Sequence, residues 1–250
     1  MAKKGNSEAV RKRADLVLVE RGLFESRARA RAAIDAGLVL ANDRPVAKAS
    51  EVIPADAVLQ AQPAHPYVSR GGVKLAGALE LYPVEIEDRI CLDVGASTGG
   101  FTEVLLAAGA AMVFAIDVGH GQLHHSLHGH PKIMSMEGTD IRKLENTRLP
   151  ARPDVVVIDV SFISLKAVLP AALSLAASPM HLLALIKPQF EAERKNYKGG
   201  VIRNAMVHQQ ICDDITAFAA SLGCTEMQVF PSPIAGGDGN IEFFLGARRG

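Results

Sequence analysis

Short apolar runs alternate with helical stretches along the chain from residue 90 onward. Apolar positions at helical spacing predict helices near residues 70–82, 99–109, 163–177 and 204–222. Hydrophobic runs of strand length lie at Ile90–Val94, Met112–Ile116, Lys132–Met136, Val155–Ile158, Leu182–Ile186, Met227–Phe230 and Ile241–Leu245. This alternation is typical of an α/β fold, and it predicts a doubly wound, mostly parallel sheet.

Residues 13–60 have a different pattern, which predicts a small α+β domain. Ser26 is a suitable N-cap for a short helix that ends at Gly37, and Ala30, Ala33 and Ile34 share one face of this helix. A hairpin is predicted around a turn at 42–44, and a short strand follows at 57–60. We therefore divide the chain into a flexible basic N-terminus at 1–12, this domain at 13–60, a linker at 61–66 and a second domain at 67–250.

The composition is that of a globular protein in a reducing compartment. The chain has 250 residues, of which 48% are hydrophobic and 22% are charged, and this excludes a disordered or disulfide-stapled protein. Cys91, Cys212 and Cys224 show no metal-binding or redox spacing. No apolar stretch follows the charged N-terminus, so we expect no signal peptide and a cytoplasmic location.

One uncharged stretch is long enough to be tested against a membrane span. Residues 167–186 contain no Asp, Glu, Lys or Arg, but Pro170, Pro179 and His181 interrupt the run. We interpret it as a helix that ends near Ala177, a turn at Ser178-Pro179 and a buried strand, and we expect no membrane association.

Positive charge is concentrated at the N-terminal end, although the net charge of the chain is zero. Residues 1–31 contain nine Lys and Arg residues and four Asp and Glu residues. Arg27 and Arg31 are four apart and share a helix face. This excess indicates an anionic partner, with a solvated charged face as the alternative.

A glycine-rich loop between a strand and a helix is the candidate cofactor site. The segment Asp93–Phe101 reads DVGASTGGF, and its small residues allow a ligand to approach the backbone at a helix N-terminus. Asp117 ends the next strand, where a carboxylate can accept hydrogen bonds from ribose hydroxyls. Gly95, Gly99 and Gly100 do not keep dinucleotide-fingerprint spacing. The loop instead looks like the S-adenosylmethionine loop of Rossmann-like methyltransferases, with a plain glycine-rich turn as the alternative.

Charged residues also abut the buried strands. Asp159 follows Val155–Ile158, and Lys187 follows Leu182–Ile186. Glu242 begins the last strand and reaches the same edge only if that strand runs antiparallel. Burial of charged groups is costly unless they are paired or take part in catalysis. The two interpretations of these residues are therefore a catalytic site and a salt bridge at the strand ends.

Five separated motifs resemble the TlyA (haemolysin A) family. They are YVSRGGVKLA at 67–76, LDVGASTGGFT at 92–102, DVVVIDVSFISL at 154–165, LIKPQFE at 185–191 and GNIEFF at 239–244. Members of that family are ribosomal RNA 2′-O-methyltransferases with an FtsJ-type catalytic domain, and their N-terminal part is similar to the RNA-binding domain of ribosomal protein S4.

The resemblance implies a Rossmann-like methyltransferase with a doubly wound, mostly parallel seven-stranded sheet and an antiparallel last strand. It also implies that the enzyme uses S-adenosylmethionine to methylate the ribose 2′-hydroxyl of a cytidine in 16S ribosomal RNA, in 23S ribosomal RNA or in both. It implies a catalytic set of Lys74, Asp159, Lys187 and Glu242, and our hypothesis is that Lys187 accepts or orients the hydroxyl proton. The candidate cofactor-binding residues are Asp93, Gly95, Ala96, Ser97, Thr98, Gly99, Gly100, Phe101, Asp117, Val118, Asp140, Ile141 and Asp159.

Basic side chains near both ends of the predicted site are candidates for contact with ribosomal RNA. The stretch 193–203 follows Lys187 and contains paired glycines, so it is expected to grip phosphates, with an ordinary surface loop as the alternative. The candidate RNA-binding residues are Arg13, Arg27, Arg31, Arg70, Arg194, Lys195 and Lys198.

Three other interpretations are considered. His124 and His128 have a spacing that could bind zinc, but no Cys or carboxylate lies close by in residues 119–130, and we expect a surface segment and no metal. A membrane-active cytolysin would fit the haemolysin name of the family. An RNA-binding ribosome-assembly factor would have a vestigial cofactor loop.

Overall fold

The computed structural model describes residues 10–192, 200–236 and 238–250. The chain divides into two compact units, Met1–Pro66 and Tyr67–Gly250. Each unit has its own hydrophobic core, and the two are described in turn.

The N-terminal unit packs two helices against short antiparallel strands. Its elements are β1 (Arg11–Arg13), α1 (Ala14–Glu20), α2 (Arg27–Asp35), β2 (Val39–Ala41), β3 (Arg44–Pro45), β4 (Val52–Pro54) and β5 (Leu59–Ala61). The predicted helix and hairpin are confirmed. Ser26 Oγ accepts a hydrogen bond from the Arg29 amide at the start of α2, and Ala30, Ala33 and Ile34 are buried. Asn42 and Asp43 adopt positive φ angles in the hairpin turn, a conformation that these residue types tolerate.

Backbone pairing extends this unit slightly beyond the segment predicted from composition. Arg11 and Lys12, which were assigned to a flexible N-terminus, pair with Pro54 and Ile53 of β4. Ala61, which was assigned to the linker, pairs with β2. The difference arises because strand pairing depends on a partner distant in the sequence, whereas charge and proline content are local.

The C-terminal unit is built on a seven-stranded sheet with the order β11-β12-β10-β9-β6-β7-β8. Its elements are α3 (Arg70–Leu81), β6 (Ile90–Val94), α4 (Gly100–Ala107), β7 (Met112–Ile116), β8 (Ile133–Met136), β9 (Val155–Ile158), α5 (Leu165–Leu175), β10 (Met180–Ile186), α6 (Pro188–Glu191), α7 (Ala205–Ser221), β11 (Thr225–Pro231) and β12 (Phe243–Arg249). Single 3₁₀ turns lie at His125–Leu127, Ile141–Lys143 and Asn146–Arg148. Five strands are parallel, and β12 is antiparallel to both of its neighbours.

Alternate residues of the central strands face two separate cores, as expected for a sheet covered on both faces. Leu92 and Ile158 pack in the core that includes side chains of α5 and α7. Cys91 and Val157 pack in the core that includes side chains of α3 and α4. The doubly wound α/β fold predicted from the alternating pattern is therefore confirmed.

The last strand begins later and ends later than its apolar run predicts. Ile241 is half exposed and precedes β12, which continues through Arg248 and Arg249. The prediction missed the charged end because these arginines find partners at the sheet margin. Arg249 Nη1 donates to the carbonyl oxygen of Leu173, and Arg248 pairs with Glu226.

The uncharged stretch at 167–186 is divided between a helix and a strand. Most of α5 lies in it, Pro179 follows a turn, and the stretch ends with β10, which is buried along almost its whole length. Among the described residues, no helix has the length and apolar character needed to cross a bilayer.

Candidate active site

A cavity of about 560 Å³ opens at the carboxyl ends of β6, β7 and β9. Ligands of open parallel sheets bind at this edge, and the volume is within the usual range for small-molecule sites. Residues from three strand ends and one 3₁₀ turn contribute to it. The predicted cofactor-binding residues in its lining are Gly95, Ser97, Asp117, Val118, Asp140, Ile141 and Asp159.

The absence of a side chain at Gly95 allows its backbone to lie against the backbone of Asp159 in the lining of the cavity. Its φ is +86°, and a Cβ at this position would lie 2.3 Å from the carbonyl oxygen of Asp159. The Asp159 amide donates to the carbonyl oxygen of Val94 at 2.9 Å. A side chain at residue 95 would therefore be both conformationally strained and sterically blocked.

The Asp117 carboxylate organises the loop that surrounds it. Its Oδ2 accepts a hydrogen bond from the Ser97 amide at 2.8 Å, and its Oδ1 accepts one from the Gly119 amide at 2.7 Å. An ionised carboxylate has about four lone-pair positions, so each oxygen retains acceptor capacity. Asp117 can therefore accept hydrogen bonds from a pair of ligand hydroxyls.

Asp140 and Arg142 form a bidentate ion pair in the cavity wall. Oδ1 of Asp140 accepts from the Arg142 backbone amide and Nε, and Oδ2 accepts from Nη2 at 2.7 Å. These interactions lower the pKa of Asp140 to about 2. Arg142 was missed at the sequence level because the pairing depends on the 3₁₀ turn.

The remaining residues of the predicted cofactor set lie outside this lining, in the part of the chain that the structure describes. Asp93 is fully buried beneath the loop, where Thr102 Oγ1 donates to it at 2.6 Å, and burial raises the pKa of its carboxyl to about 7. Phe101 stacks on Phe244 in the core. The others are Ala96, Thr98, Gly99 and Gly100.

Gly99 and Gly100 make room for protein neighbours rather than for the cavity. A Cβ at Gly99 would contact Leu127 and Leu123, and one at Gly100 would lie 2.2 Å from Ser69 Oγ. These contacts explain the two small residues through packing, and the assignment of both glycines to cofactor binding stays a prediction.

Four ionisable residues lie at the same edge of the sheet in two ion pairs. Lys187 Nζ lies 2.5 Å from Asp159 Oδ1, and Lys74 Nζ lies 2.6 Å from Glu242 Oε2. Lys74, Lys187 and Glu242 are each less than one-tenth exposed. Charges this deeply buried are costly unless they are paired, and each lysine has a carboxylate partner.

The strand register explains why these residues meet. Ile186 pairs with Phe243, so the antiparallel β12 brings Glu242 to the end of β10 that carries Lys187. Asp159 follows β9, which is parallel to β10. Gln189 Nε2 donates to Glu242 Oε1 at 3.3 Å and so connects this carboxylate to the segment that begins at Lys187. The antiparallel orientation required to place Glu242 at this edge is confirmed.

Sequence reasoning missed two neighbours of this cluster. Lys187 Nζ donates to Ser161 Oγ at 2.8 Å. Phe162 is 91% exposed and has a φ of +65°, although a bulky side chain disfavours this conformation. Its ring centroid lies 5.0 Å from that of Phe190, and Ser161 and Phe162 both line the cavity. Both lie within three residues after Asp159, so the rule that ligands bind beyond the ends of parallel strands could have included them.

A second cavity, of about 460 Å³, lies in the N-terminal unit and is lined by basic side chains. Its charged lining residues are Arg13, Arg27, Arg31 and Lys48, together with the buried Asp15 and the exposed Asp35. Asp15 accepts hydrogen bonds from both Arg13 and Arg27, and these guanidinium groups hold the pKa of its carboxyl well below the usual range. The predicted basic surface is therefore anchored on an internal carboxylate.

The other predicted RNA-binding residues are not part of this cavity. Arg70 begins α3 of the C-terminal unit, and its Nη2 donates to the carbonyl oxygen of Ala235 at 2.5 Å. Arg194, Lys195 and Lys198 lie outside the described residues.

The histidine-rich segment forms a surface turn with an apolar underside. Leu123 and Leu127 are buried with Val68, and His128 Nε2 lies 2.8 Å from the carbonyl oxygen of Leu123. Glu137 accepts hydrogen bonds from the backbone amides of residues 121–123. The segment is therefore held by backbone contacts and packing.

Comparisons with known proteins cover both units. Residues 67–249 match the FtsJ-like methyltransferase family, and residues 12–59 match the S4 domain. The chain is 41% identical over 243 residues to Mycobacterium tuberculosis 16S/23S rRNA (cytidine-2′-O)-methyltransferase TlyA, and the match covers 96% of this chain and 91% of that protein. It is 38% identical to Hemolysin A of Brachyspira hyodysenteriae, with 92% and 97% covered. A solved structure of a Streptococcus thermophilus protein named as a hemolysin has a TM-score of 0.77 and 39% identity, with 96% and 89% covered.

Proposed function

The chain belongs to the TlyA (haemolysin A) family of FtsJ-like methyltransferases, and we propose that it transfers a methyl group from S-adenosylmethionine to a ribose 2′-hydroxyl of ribosomal RNA. The observation that carries this proposal is the convergence of Lys74, Asp159, Lys187 and Glu242 at the edge of the sheet where the cavity opens. A ribosomal substrate is consistent with a cytoplasmic location.

The residues of the cavity fit S-adenosylmethionine. Asp117 has acceptor capacity for the two ribose hydroxyls, and the Gly95 backbone offers close approach without a side chain. Asp140 and Ile141 line the same cavity and would border the adenine, with Arg142 fixing the Asp140 carboxylate. When bound, the cofactor supplies a methyl group on a positively charged sulfur.

Replacement of Asp117 with asparagine is expected to weaken S-adenosylmethionine binding about tenfold to a hundredfold. The amide nitrogen of asparagine cannot accept, so one of the hydrogen bonds from Ser97 and Gly119 is lost, as is the charge that favours ribose hydroxyls. Isothermal titration calorimetry measures the change. The exposed Asp213→Asn, on α7, is the control, and equal affinities for both variants would exclude Asp117 from the cofactor site.

Lys187 and Asp159 act on the nucleophile in this proposal. The 2′-hydroxyl is a poor nucleophile, and transfer of its proton to Lys187 Nζ as the oxygen–carbon bond forms makes it a better one. Because an ammonium group has no lone pair, this step starts from the neutral amine form of Lys187, which becomes the ammonium partner of Asp159 when it takes the proton. Asp159 orients the amine through the 2.5 Å contact. The oxygen–carbon bond replaces the carbon–sulfur bond, the sulfur becomes neutral, and Lys187 later releases the proton to water.

The buried Lys74–Glu242 pair supports the same edge of the site. Glu242 is 2% exposed and is held by Lys74 and Gln189. Because Gln189 lies two residues beyond Lys187, this pair fixes the backbone that carries the proton acceptor. Alignment of reacting atoms can contribute several kcal/mol to catalysis, so a rigid support has direct catalytic value.

The exposed Phe162 and its neighbour Phe190 are proposed to contact the target nucleotide. Phe162 is 91% exposed although its ring lies 5.0 Å from that of Phe190, so packing accounts for little of its surface. Bases of single-stranded RNA stack on such rings. The pair therefore provides an apolar surface for a base that has left its helix.

The N-terminal unit is proposed to bind the phosphate backbone. Asp15 holds the guanidinium groups of Arg13 and Arg27. Lys48 and Arg31 line the same cavity, and Arg31 lies 3.6 Å from the exposed carboxylate of Asp35. Fixed guanidinium groups suit phosphate recognition because their donors match its oxygen atoms.

Arg31→Ala and Lys48→Ala are each expected to weaken ribosomal RNA binding and to leave S-adenosylmethionine affinity unchanged. Each loss of a phosphate contact should reduce the slope of log affinity against log salt by about one. Arg27→Glu is less informative, because it would place a carboxylate against the buried Asp15. Filter binding across a salt series measures the effect.

Arg44→Ala is the matched control for these variants, because Arg44 is exposed on β3 and does not line the cavity. If Arg31→Ala and Lys48→Ala bind RNA as tightly as Arg44→Ala and the unmodified protein do, the cavity is not a phosphate site.

The function is tested by incubating the full-length protein with S-adenosylmethionine and unmodified 16S or 23S ribosomal RNA, as free RNA and as subunits. Mass spectrometry of nuclease digests is expected to detect a 2′-O-methyl nucleoside, namely 2′-O-methylcytidine by analogy with the named relative. RNA binding without methylation would favour an assembly factor instead. Absence of both would reject the proposal.

A further inference from the structure

Ser161 has a direct contact with the amine on which the proposed reaction depends. Lys187 Nζ donates to Ser161 Oγ at 2.8 Å, and the same nitrogen lies 2.5 Å from Asp159 Oδ1. A lysine nitrogen has one bond to carbon and three remaining tetrahedral positions. Ser161 Oγ occupies one of these positions with hydrogen-bond geometry, whereas Asp159 Oδ1 lies close to the nitrogen without accepting a hydrogen bond, so a position remains for a substrate hydroxyl.

The two neighbours differ in what they contribute. Asp159 supplies charge, whereas the Ser161 hydroxyl is neutral and restricts rotation about the end of the lysine side chain. The hydrogen bond to Ser161 sets the rotation of the amine about its bond to the side-chain carbon. Because the nitrogen is tetrahedral, setting this rotation also sets the directions of its other two positions.

Ser161 is itself held in place by a turn that contacts the Lys187 segment at several points. Phe162 packs against Phe190 with ring centroids 5.0 Å apart. Beyond it, the Glu191 carboxylate accepts hydrogen bonds from Ser164 Oγ at 2.5 Å and from the Leu165 amide at 2.7 Å. The turn and the segment that begins at Lys187 are thus fastened along their length, with Ser161 at the first contact.

Phe162 also shows that this turn is not relaxed. A φ of +65° is unfavourable for a phenylalanine, and such conformations persist where the surrounding structure holds them. The left-handed residue reverses the chain immediately after Ser161. The serine hydroxyl therefore reaches Lys187 while the adjacent ring is exposed.

We propose that Ser161 is a positioning residue that directs Lys187 Nζ toward the ribose 2′-hydroxyl. The inference rests on the proposed function, because it concerns the same proton transfer. It assigns to Ser161 an effect on the rate of methyl transfer and none on the binding of the cofactor or of RNA.

Ser161→Ala is expected to lower kcat about tenfold to a hundredfold, while KM for ribosomal RNA and Kd for S-adenosylmethionine stay within about twofold. Ser161→Thr keeps the hydroxyl and is expected to restore kcat to within about threefold of the unmodified protein. The assay is methyl transfer to ribosomal RNA under saturating cofactor, with calorimetry for cofactor binding.

Ser164→Ala is the matched control, because it removes the other serine hydroxyl that joins this turn to the Lys187 segment. It is expected to lower the melting temperature and to keep kcat. A loss of kcat in the control as large as in Ser161→Ala would reduce the role of Ser161 to support of the turn.

Three further results would overturn the inference. They are an unchanged kcat in Ser161→Ala, equal losses in the alanine and threonine variants, and a loss confined to KM or to cofactor affinity. If the unmodified protein methylates RNA and Ser161→Ala does so equally well, only this inference fails. If the unmodified protein shows no methyl transfer, the proposed function fails and the inference falls with it.

Discussion

Lys187→Arg is expected to reduce kcat for methyl transfer about 10²- to 10⁴-fold and to leave S-adenosylmethionine affinity unchanged. Arginine keeps its proton at any pH that proteins tolerate, so it cannot accept the proton of the 2′-hydroxyl. The larger guanidinium group would also disturb the contacts with Asp159 and Ser161. Radiolabelled methyl transfer and calorimetry separate the two effects.

Lys166→Arg is a suitable control for this experiment, because Lys166 is an exposed lysine on α5. It should methylate RNA at the unmodified rate. Substantial turnover by Lys187→Arg would remove Lys187 as the proton acceptor and leave orientation as its role.

The second large effect is on stability. Lys74→Met is expected to reduce the free energy of unfolding of the C-terminal unit by about 3–5 kcal/mol, because it leaves the Glu242 carboxylate buried without its partner. All three tyrosines of the chain lie at or beyond residue 67, so tyrosine fluorescence during urea unfolding reports on this unit.

The double variant Lys74→Met, Glu242→Gln tests the cause of this loss. Neutralising the carboxylate should recover most of the stability, because the buried charge is gone while the Gln189 contact can persist. Methyl transfer should remain impaired, since the pair would no longer be ionic. Equal stability of the single and double variants would contradict the explanation.

An exposed ion pair provides the reference value. Arg89 lies 3.5 Å from Glu85, and both side chains are largely in solvent. Arg89→Met should change the free energy of unfolding by less than about 1 kcal/mol.

Much of the sheet is predictable because buried strands require continuous apolar side chains. Ile90–Val94, Met112–Ile116 and Val155–Ile158 have the predicted bounds, since these central strands are covered on both faces. The strand that ends at Arg249 was predicted less well. At the margin of a sheet, charged side chains can reach solvent or carbonyl oxygens, so hydrophobicity no longer marks the strand.

The catalytic cluster is only partly predictable from local pattern. Asp159 and Lys187 follow from the rule that ligands bind beyond the ends of parallel strands. Glu242 required the orientation of β12, and Lys74 lies on a helix that precedes the whole sheet. Their pairing spans 168 residues, and only the family resemblance linked them before the structure did.

The glycine-rich loop and the basic surface show a second limit of prediction from the sequence. A glycine permits close approach, but the sequence does not reveal whether a ligand or a protein atom approaches. Gly95 lines the cavity and is also approached by the carbonyl oxygen of Asp159, whereas Gly99 is approached by leucine side chains. In the same way, Arg27 was predicted to be available for RNA, and part of its hydrogen-bonding capacity is used by Asp15.

The contact between Gly95 and the Asp159 backbone bears on inhibitor design. Compounds that mimic the cofactor and carry extra bulk toward this junction would have to separate the main chains of two adjacent strands. Chemical elaboration is better directed to the rim of the cavity, where Val118 and Phe162 are exposed to solvent. Selectivity among enzymes of this kind should therefore come from the rim of the cavity and not from its floor.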